Sequence, residues 1–151
     1  MTPVLATIGY ESTTVPRFLE SLTDAGVGLV VDVRAVASSR RPGFAKSKLA
    51  ANLATVGIEY LHLRGLGTPA DGRAAARAGK HETMHAIFHA HLATDVAQAD
   101  LATLEGLVAG ARKVAILCFE HDPAHCHRSL VAAALAARVP IAIEHLLPDD
   151  E

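Results

Sequence analysis

The chain has 151 residues, of which half are hydrophobic and a fifth charged, a composition that excludes a disordered chain and suits one domain with an ordinary core. A net charge of −2 excludes a general electrostatic attraction to nucleic acid or to an anionic membrane. Two cysteines, no membrane-length apolar run and no signal-peptide pattern at the N-terminus lead us to expect a cytoplasmic protein with reduced thiols.

Short apolar runs alternate with helical patterns along the whole sequence. The predicted elements begin with a strand over 4–8, a helix capped by Thr13 or Thr14 and closed at Gly26, and a strand over 28–33. A helix capped by Ser47 and running to 56, a strand over 58–63 and an irregular segment 64–80 with a turn of helix at 73–78 come next. The last part is predicted as helices over 82–92 and 100–109, a strand over 113–118, a helix over 126–137 and a strand over 141–145. This alternation predicts a single α/β domain over residues 1–151, with a mainly parallel sheet of about five strands flanked by helices.

Polar side chains follow several of the predicted strands. Open parallel sheets bind ligands at the carboxyl ends of their strands, so these side chains are candidates for a binding site. The candidates for ligand binding are Gly9, Tyr10 and Ser12 after the first strand, Asp32, Arg34, Arg40 and Arg41 at and after the second, and Cys118 at the end of the fourth.

The segment Cys126-His127-Arg128 opens the helix that follows the fourth strand. A helix N-terminus and nearby cations lower the pKa of a thiol, so Cys126 is a candidate nucleophile. His127 and Glu120 are the candidates for proton transfer. The alternative is a packed thiol, because Cys126 shares one helical face with Leu130, Ala133 and Ala137.

Arg128 stands in a first helical turn, where its charge opposes the helix dipole. An anionic ligand, or a buried carboxylate such as Asp32 or Glu120, would explain it, and an arginine turned back to solvent is the alternative. Asp32 and Arg34 could likewise form an internal structural pair. Together with the basic loop at Arg40-Arg41, these residues predict a cleft for a small anion: a phosphate, a nucleotide or a nucleic-acid fragment.

Two patterns raise the question of a metal. Sulfur and nitrogen ligands gather at Cys118, His121, His125, Cys126 and His127, but their spacing is not that of a zinc knuckle, and we expect no metal there. His81-Glu82-x-x-His85 matches the zinc metallohydrolase motif and stays open as an alternative function, although the third ligand has no obvious candidate. We interpret it as a histidine-rich, solvent-facing helix. The sequence leaves any cofactor unknown.

Several short motifs occur in a familiar order: Thr7-Ile8-Gly9-Tyr10, Val31-Asp32-Val33-Arg34, Ser38-Ser39-Arg40-Arg41-Pro42-Gly43-Phe44, Gly57-Ile58-Glu59-Tyr60, Leu66-Gly67, Leu117-Cys118-Phe119-Glu120 and Cys126-His127-Arg128. With them the chain resembles the bacterial and archaeal family called domain of unknown function 488. The resemblance implies a small cytoplasmic α/β domain of unassigned role. From the residues themselves we expect a thiol-assisted hydrolase or transferase, or else a non-enzymatic nucleotide- or nucleic-acid-binding regulatory module.

Overall fold

A computed structural model describes residues 2–120, 122–123 and 126–148. The five strands of the described chain are β1 (Val4–Gly9), β2 (Val27–Asp32), β3 (Glu59–His62), β4 (Lys113–Cys118) and β5 (Ala142–Leu146). Its six α-helices are α1 (Val15–Asp24), α2 (Lys46–Ala54), α3 (Ala70–Arg77), α4 (His81–Leu92), α5 (Asp95–Val108) and α6 (His127–Ala136). No helix in these ranges is long and apolar enough to span a membrane.

The strands form one sheet in the order β3-β2-β4-β1-β5, and every pairing is parallel. β1, β2 and β4 are buried almost throughout, as their non-alternating apolar sequences require. Because all strands point the same way, their carboxyl ends meet at one edge of the sheet. The predicted α/β class, with a parallel sheet of five strands flanked by helices, is confirmed.

Helices cover both faces of the sheet. On one face α1 and α2 pack through Phe18, Leu22, Leu49 and Leu53 against strand residues such as Val30 and Leu117. On the other face α3–α6 pack against the alternate residues of the same strands, and this second core includes both Cys118 and Cys126. The two cysteines therefore lie on the same side of the sheet.

Three predicted helix boundaries were wrong. α5 begins at Asp95, five residues earlier than predicted, because the Thr94 hydroxyl caps it by accepting from the amide of Ala97 at 3.3 Å. α3 covers eight residues where the sequence predicted only a turn, and it starts directly after Pro69. α2 starts at Lys46 after Ala45, which makes no side-chain cap, so Ser47 lies inside the helix.

The packing face predicted for the last helix was also wrong. Cys126 is the N-cap and is buried, but Ala133 and Ala137 face solvent. The buried stripe of α6 consists of His127, Arg128, Val131, Ala132 and Leu135. The helix is therefore rotated by about one position from the predicted face, and the rotation turns the side chains of the Cys-His-Arg segment inward.

Candidate active site

A cleft of about 370 Å³ opens at the carboxyl edge of the sheet, between the ends of β1, β2 and β4 and the helices α3 and α6. The predicted site residues that line it are Tyr10, Arg34, Arg40, Cys118, Glu120, Cys126 and His127. In the part of the chain that the structure describes, five other predicted site residues lie outside this lining: Gly9, Ser12, Asp32, Arg41 and Arg128.

One wall of the cleft rests on a buried ion pair. Asp32 is 0% exposed and Arg34 5%, and the two side chains bond through Arg34 Nη2 to Asp32 Oδ2 at 2.7 Å and Arg34 Nε to Asp32 Oδ1 at 2.9 Å. Tyr60 donates to the same carboxylate at 2.6 Å. Arg34 Nη1 donates to the Tyr10 hydroxyl and to the carbonyl of Phe44 at 3.1 and 2.8 Å. All three guanidinium nitrogens of Arg34 thus donate hydrogen bonds within the protein, and Asp32 and Arg34 form an internal pair.

This network also shifts proton affinities. Burial raises the pKa of Tyr60, and the negative charge of Asp32 raises it further, so Tyr60 stays a hydroxyl donor. Burial alone would lower the pKa of Arg34, but the hydrogen bond and charge of Asp32 outweigh it and raise the pKa. Arg34 therefore keeps its positive charge beside Asp32.

The floor of the cleft is a cluster of two thiols and one imidazole. Nδ1 of His127 lies 3.4 Å from Sγ of Cys118 and 3.9 Å from Sγ of Cys126. Nε2 of His127 lies 2.7 Å from the carbonyl oxygen of Val33. A carbonyl only accepts, so Nε2 carries a hydrogen, and in the neutral ring Nδ1 faces the sulfurs as a bare acceptor. His127 is therefore oriented to take a proton from a thiol.

The two thiols of this cluster differ in acidity. Burial raises the pKa of Cys126, but hydrogen bonds from Cys118 and His127 and the charges of His127 and Arg128 outweigh burial and bring the pKa well below its usual range. The pKa of Cys118 is raised, first by its hydrogen bond to Cys126 and then by burial. Burial lowers the pKa of His127, yet its bonds to Cys126 and Val33 and the charge of Cys126 raise it overall. Cys126 and His127 thus favour a thiolate and an imidazolium.

Backbone contacts fix this cluster. The amide of Val33 donates to Leu117 at 3.1 Å, while its carbonyl accepts from His127, so the ends of β2 and β4 and the start of α6 are held together. Gly9 lies beside Cys118 in the sheet register, and a Cβ at Gly9 would overlap the carbonyl of Glu120. Glycine is therefore required where the chain leaving β4 crosses β1.

Arg128 and Arg41 hold loops from behind the cleft. Arg128 is 0% exposed, and its Nη1 donates to the backbone carbonyl of Glu120. Arg41 donates to the carbonyl of Thr13, next to Ser12, whose φ of 69° marks the tight turn after β1. Arg41 thereby ties the basic loop to the β1–α1 connection, while its neighbour Arg40 is exposed and lines the cleft.

The sequence also shows basic residues later in the chain, but they were not assigned to the site. Arg73 and Arg77, one helical turn apart on α3, line the cleft opposite the basic loop, and Arg73 is held by a 2.9 Å bond from Nη1 to the carbonyl of Thr68. Pro69 followed by an acidic first turn at Asp71 was the signal for this helix. Two exposed apolar side chains also line the cleft: Phe119, 40% exposed, and Val36, 56% exposed.

The family model for the domain of unknown function DUF488 matches residues 14–135. The chain belongs to this family. The match contains every cleft-lining residue except Tyr10. A search of curated proteins and a search of solved structures returned no match.

In this DUF488 chain the described residues that could hold a metal ion together are Cys118, Cys126 and His127, whose donor atoms all lie within 4.8 Å of one another. Sulfur and imidazole suit a soft ion such as Zn²⁺. His121 and His125 lie outside the described residues. His81 and His85 lie one turn apart on α4, and no third ligand joins them within the described ranges. The metallohydrolase motif therefore stays a prediction that the geometry does not favour.

Proposed function

We propose that the chain is a thiol-dependent hydrolase or transferase that acts on a small phosphate-bearing substrate in the cleft. One observation carries the proposal: Cys126 and His127 lie at the floor of a cleft whose walls contribute Arg40, Arg73 and Arg77. A nucleophile beside its proton acceptor, in a site rich in guanidinium groups, suits attack on an anionic substrate. The thiol requires the reduced state that a cytoplasm maintains.

Cys126 is the nucleophile in this mechanism. Its thiolate forms a bond to the electrophilic atom of the substrate, and the leaving group departs with the proton that His127 holds on Nδ1. Water or a second acceptor then displaces the substrate from sulfur. Glu120 lines the cleft and is the candidate to take the proton of that acceptor.

Recognition of the anion falls to the arginines that line the cleft away from the Asp32–Arg34 pair. Arg40, Arg73 and Arg77 present guanidinium groups that match phosphate oxygens in shape and charge. Phe119 and Val36 offer an apolar surface on which a nucleobase could stack, so a nucleotide or a nucleic-acid fragment is the substrate class to test first.

The remaining predicted residues have a supporting role in this proposal. Asp32 and Tyr10 fix Arg34 in the cleft wall. Gly9, Ser12, Arg41 and Arg128 shape and pin the loops around the cleft. Their substitution should disturb binding by moving the wall, and not by removing a direct contact with the ligand.

The binding step is tested with inorganic phosphate and adenosine monophosphate as probes. We expect Arg77→Gln to weaken phosphate affinity about 10-fold, since one charge-assisted contact contributes about 1.4 kcal/mol or more. Titration calorimetry measures this affinity. Arg112→Gln is the matched control, because Arg112 pairs with Glu59 outside the cleft lining. Equal affinity in the two variants, or no binding by the unsubstituted protein, contradicts an anion-binding cleft.

The chemical step is tested with iodoacetamide at pH 7. Only two cysteines are present, so Cys126→Ser and Cys118→Ser each leave one thiol whose alkylation is followed by mass spectrometry. We expect Cys118→Ser to keep fast alkylation at Cys126, and Cys126→Ser to lose it. Slow alkylation of Cys126 together with tight phosphate binding favours the non-enzymatic regulatory module over the enzyme.

A further inference from the structure

The proposed mechanism uses one thiol, yet the floor of the cleft holds two. Cys118 and Cys126 both face Nδ1 of His127, both line the cleft, and their sulfur atoms lie within 4.8 Å of each other. Packing alone would be satisfied by alanine or valine at Cys118, in a core that is mostly aliphatic. A second thiol at this distance has a chemical use, because it can resolve an oxidised form of the first.

We propose that hydroperoxides oxidise Cys126 and that Cys118 then closes a reversible disulfide with it, which makes the cleft a peroxide-responsive dithiol site. The inference rests on the proposed function only in taking Cys126 as the more reactive thiol. It adds a role for Cys118, a second substrate class and a means by which oxidation stops the thiol chemistry.

The reaction balances in two steps. The Cys126 thiolate attacks the terminal oxygen of the peroxide, the O–O bond breaks, and water or an alcohol leaves, so that Cys126 becomes a sulfenic acid. The Cys118 sulfur then attacks the Cys126 sulfur, an S–S bond forms, the S–O bond breaks and water leaves. Two thiols are oxidised by two electrons and one peroxide is reduced. His127 accepts the proton of one thiol and returns it to the departing oxygen.

The positions of the two cysteines make closure feasible. A disulfide needs the sulfur atoms to approach to ~2.05 Å. Cys118 is the last residue of β4, and Cys126 is the N-cap of α6 with extended backbone. Both lie at the ends of their elements, where a change of χ1 or a small backbone shift does not break a helix or a strand. The two thiols also differ in acidity in the required sense, with Cys126 the more acidic and Cys118 the less acidic.

Oxidation should affect chemistry and binding differently. The disulfide consumes the Cys126 thiolate, so alkylation stops. The guanidinium groups of Arg40, Arg73 and Arg77 remain in place, so inorganic phosphate should still bind. This separation distinguishes the failure of the inference from the failure of the proposed function.

The experiment uses the unsubstituted chain, reduced and then treated with a small excess of hydrogen peroxide. After denaturation in N-ethylmaleimide, intact-mass spectrometry should show a monomer with no maleimide adduct. Reduction with dithiothreitol before the N-ethylmaleimide step should give two adducts. With Cys118→Ser the sulfenic acid should persist and take a dimedone adduct. With Cys126→Ser oxidation should be at least 10-fold slower. The result on the unsubstituted chain stands even if a variant does not fold.

Three results overturn the inference. Two maleimide adducts after peroxide treatment show that no disulfide forms. A disulfide-linked dimer shows that the thiols meet between chains and not within one. Stoichiometric Zn²⁺ on the purified protein, lost in Cys118→Ser and blocking alkylation of both thiols, shows that the cluster is a metal site. In each case phosphate binding still reports on the proposed function independently.

Discussion

Two buried polar groups lie side by side at the carboxyl edge of this sheet, and they differ in what their burial achieves. In the Asp32–Arg34 network opposite charges meet at 2.7 Å, with tyrosine hydroxyls around them. In the Cys118–Cys126–His127 cluster the two sulfur atoms lie 3.4 and 3.9 Å from Nδ1 of the imidazole, and the cluster opens onto the cleft. The first arrangement resists any change of charge, whereas the second favours proton transfer.

The difference shows how one sheet edge can be both rigid and reactive. Burying an ion pair carries a large desolvation cost, which is recovered only while both partners remain. The thiol and imidazole of the second group can instead pass a proton between them without changing their combined charge, so their burial leaves them able to react. Substitutions in the first group should therefore act mainly on stability, and those in the second mainly on reactivity.

The largest effect is expected for Asp32→Asn. It leaves the guanidinium of Arg34 buried without its counter-charge, and we expect the free energy of unfolding to fall by about 3–5 kcal/mol. Urea denaturation measures the change. Glu59→Gln is the control, since its pair with Arg112 is exposed and should contribute less than about 1 kcal/mol. A similar loss in both variants would show that burial does not make the Asp32–Arg34 pair more important to stability than an exposed pair.

A smaller loss of stability is expected where the backbone supports the reactive cluster. Gly9→Ala places a Cβ against the carbonyl of Glu120 and should cost about 1–3 kcal/mol. Gly106→Ala, within α5 and with open space around its Cβ position, should instead stabilise the protein by about 0.5–1 kcal/mol. Thermal unfolding measures the change in stability of each variant. Stabilisation by both substitutions would show that the space between Gly9 and the carbonyl of Glu120 can hold a methyl group.

The smallest effect on stability, but a clear one on reactivity, is expected for His127→Asn. The bond and the charge of His127 lower the pKa of Cys126, so their removal should raise that pKa. The pH profile of alkylation should move to higher pH, and alkylation at pH 7 should become about 10-fold slower. His89→Asn, on the exposed face of α4, should leave the profile unchanged. An unmoved profile in His127→Asn would show that the imidazole does not act on the thiol.

Much of the framework could be predicted from local patterns. The strand Lys113–Cys118 was predicted with its correct bounds, because its apolar run ends directly at a polar loop. The helix within the segment 64–80 was predicted only as a turn, because the glycines around it obscured the signal at Pro69 and Asp71 and because packing against α4 helps to stabilise it. Because the helix was not predicted in full, Arg73 and Arg77 were not placed in the cleft, although they are two of the four arginines that line it.

The sequence by itself determined the parallel α/β class and the placement of reactive residues at the strand ends, because hydrophobic periodicity and helix signals are properties of neighbouring residues. Only the tertiary structure decided which of them meet. β2 and β4 are neighbours in the sheet, and this adjacency brings the Val33 carbonyl to His127 across 94 positions of the chain. Strand order is set by the packing of the whole core. No local sequence pattern therefore predicts that two thiols and one imidazole lie close together.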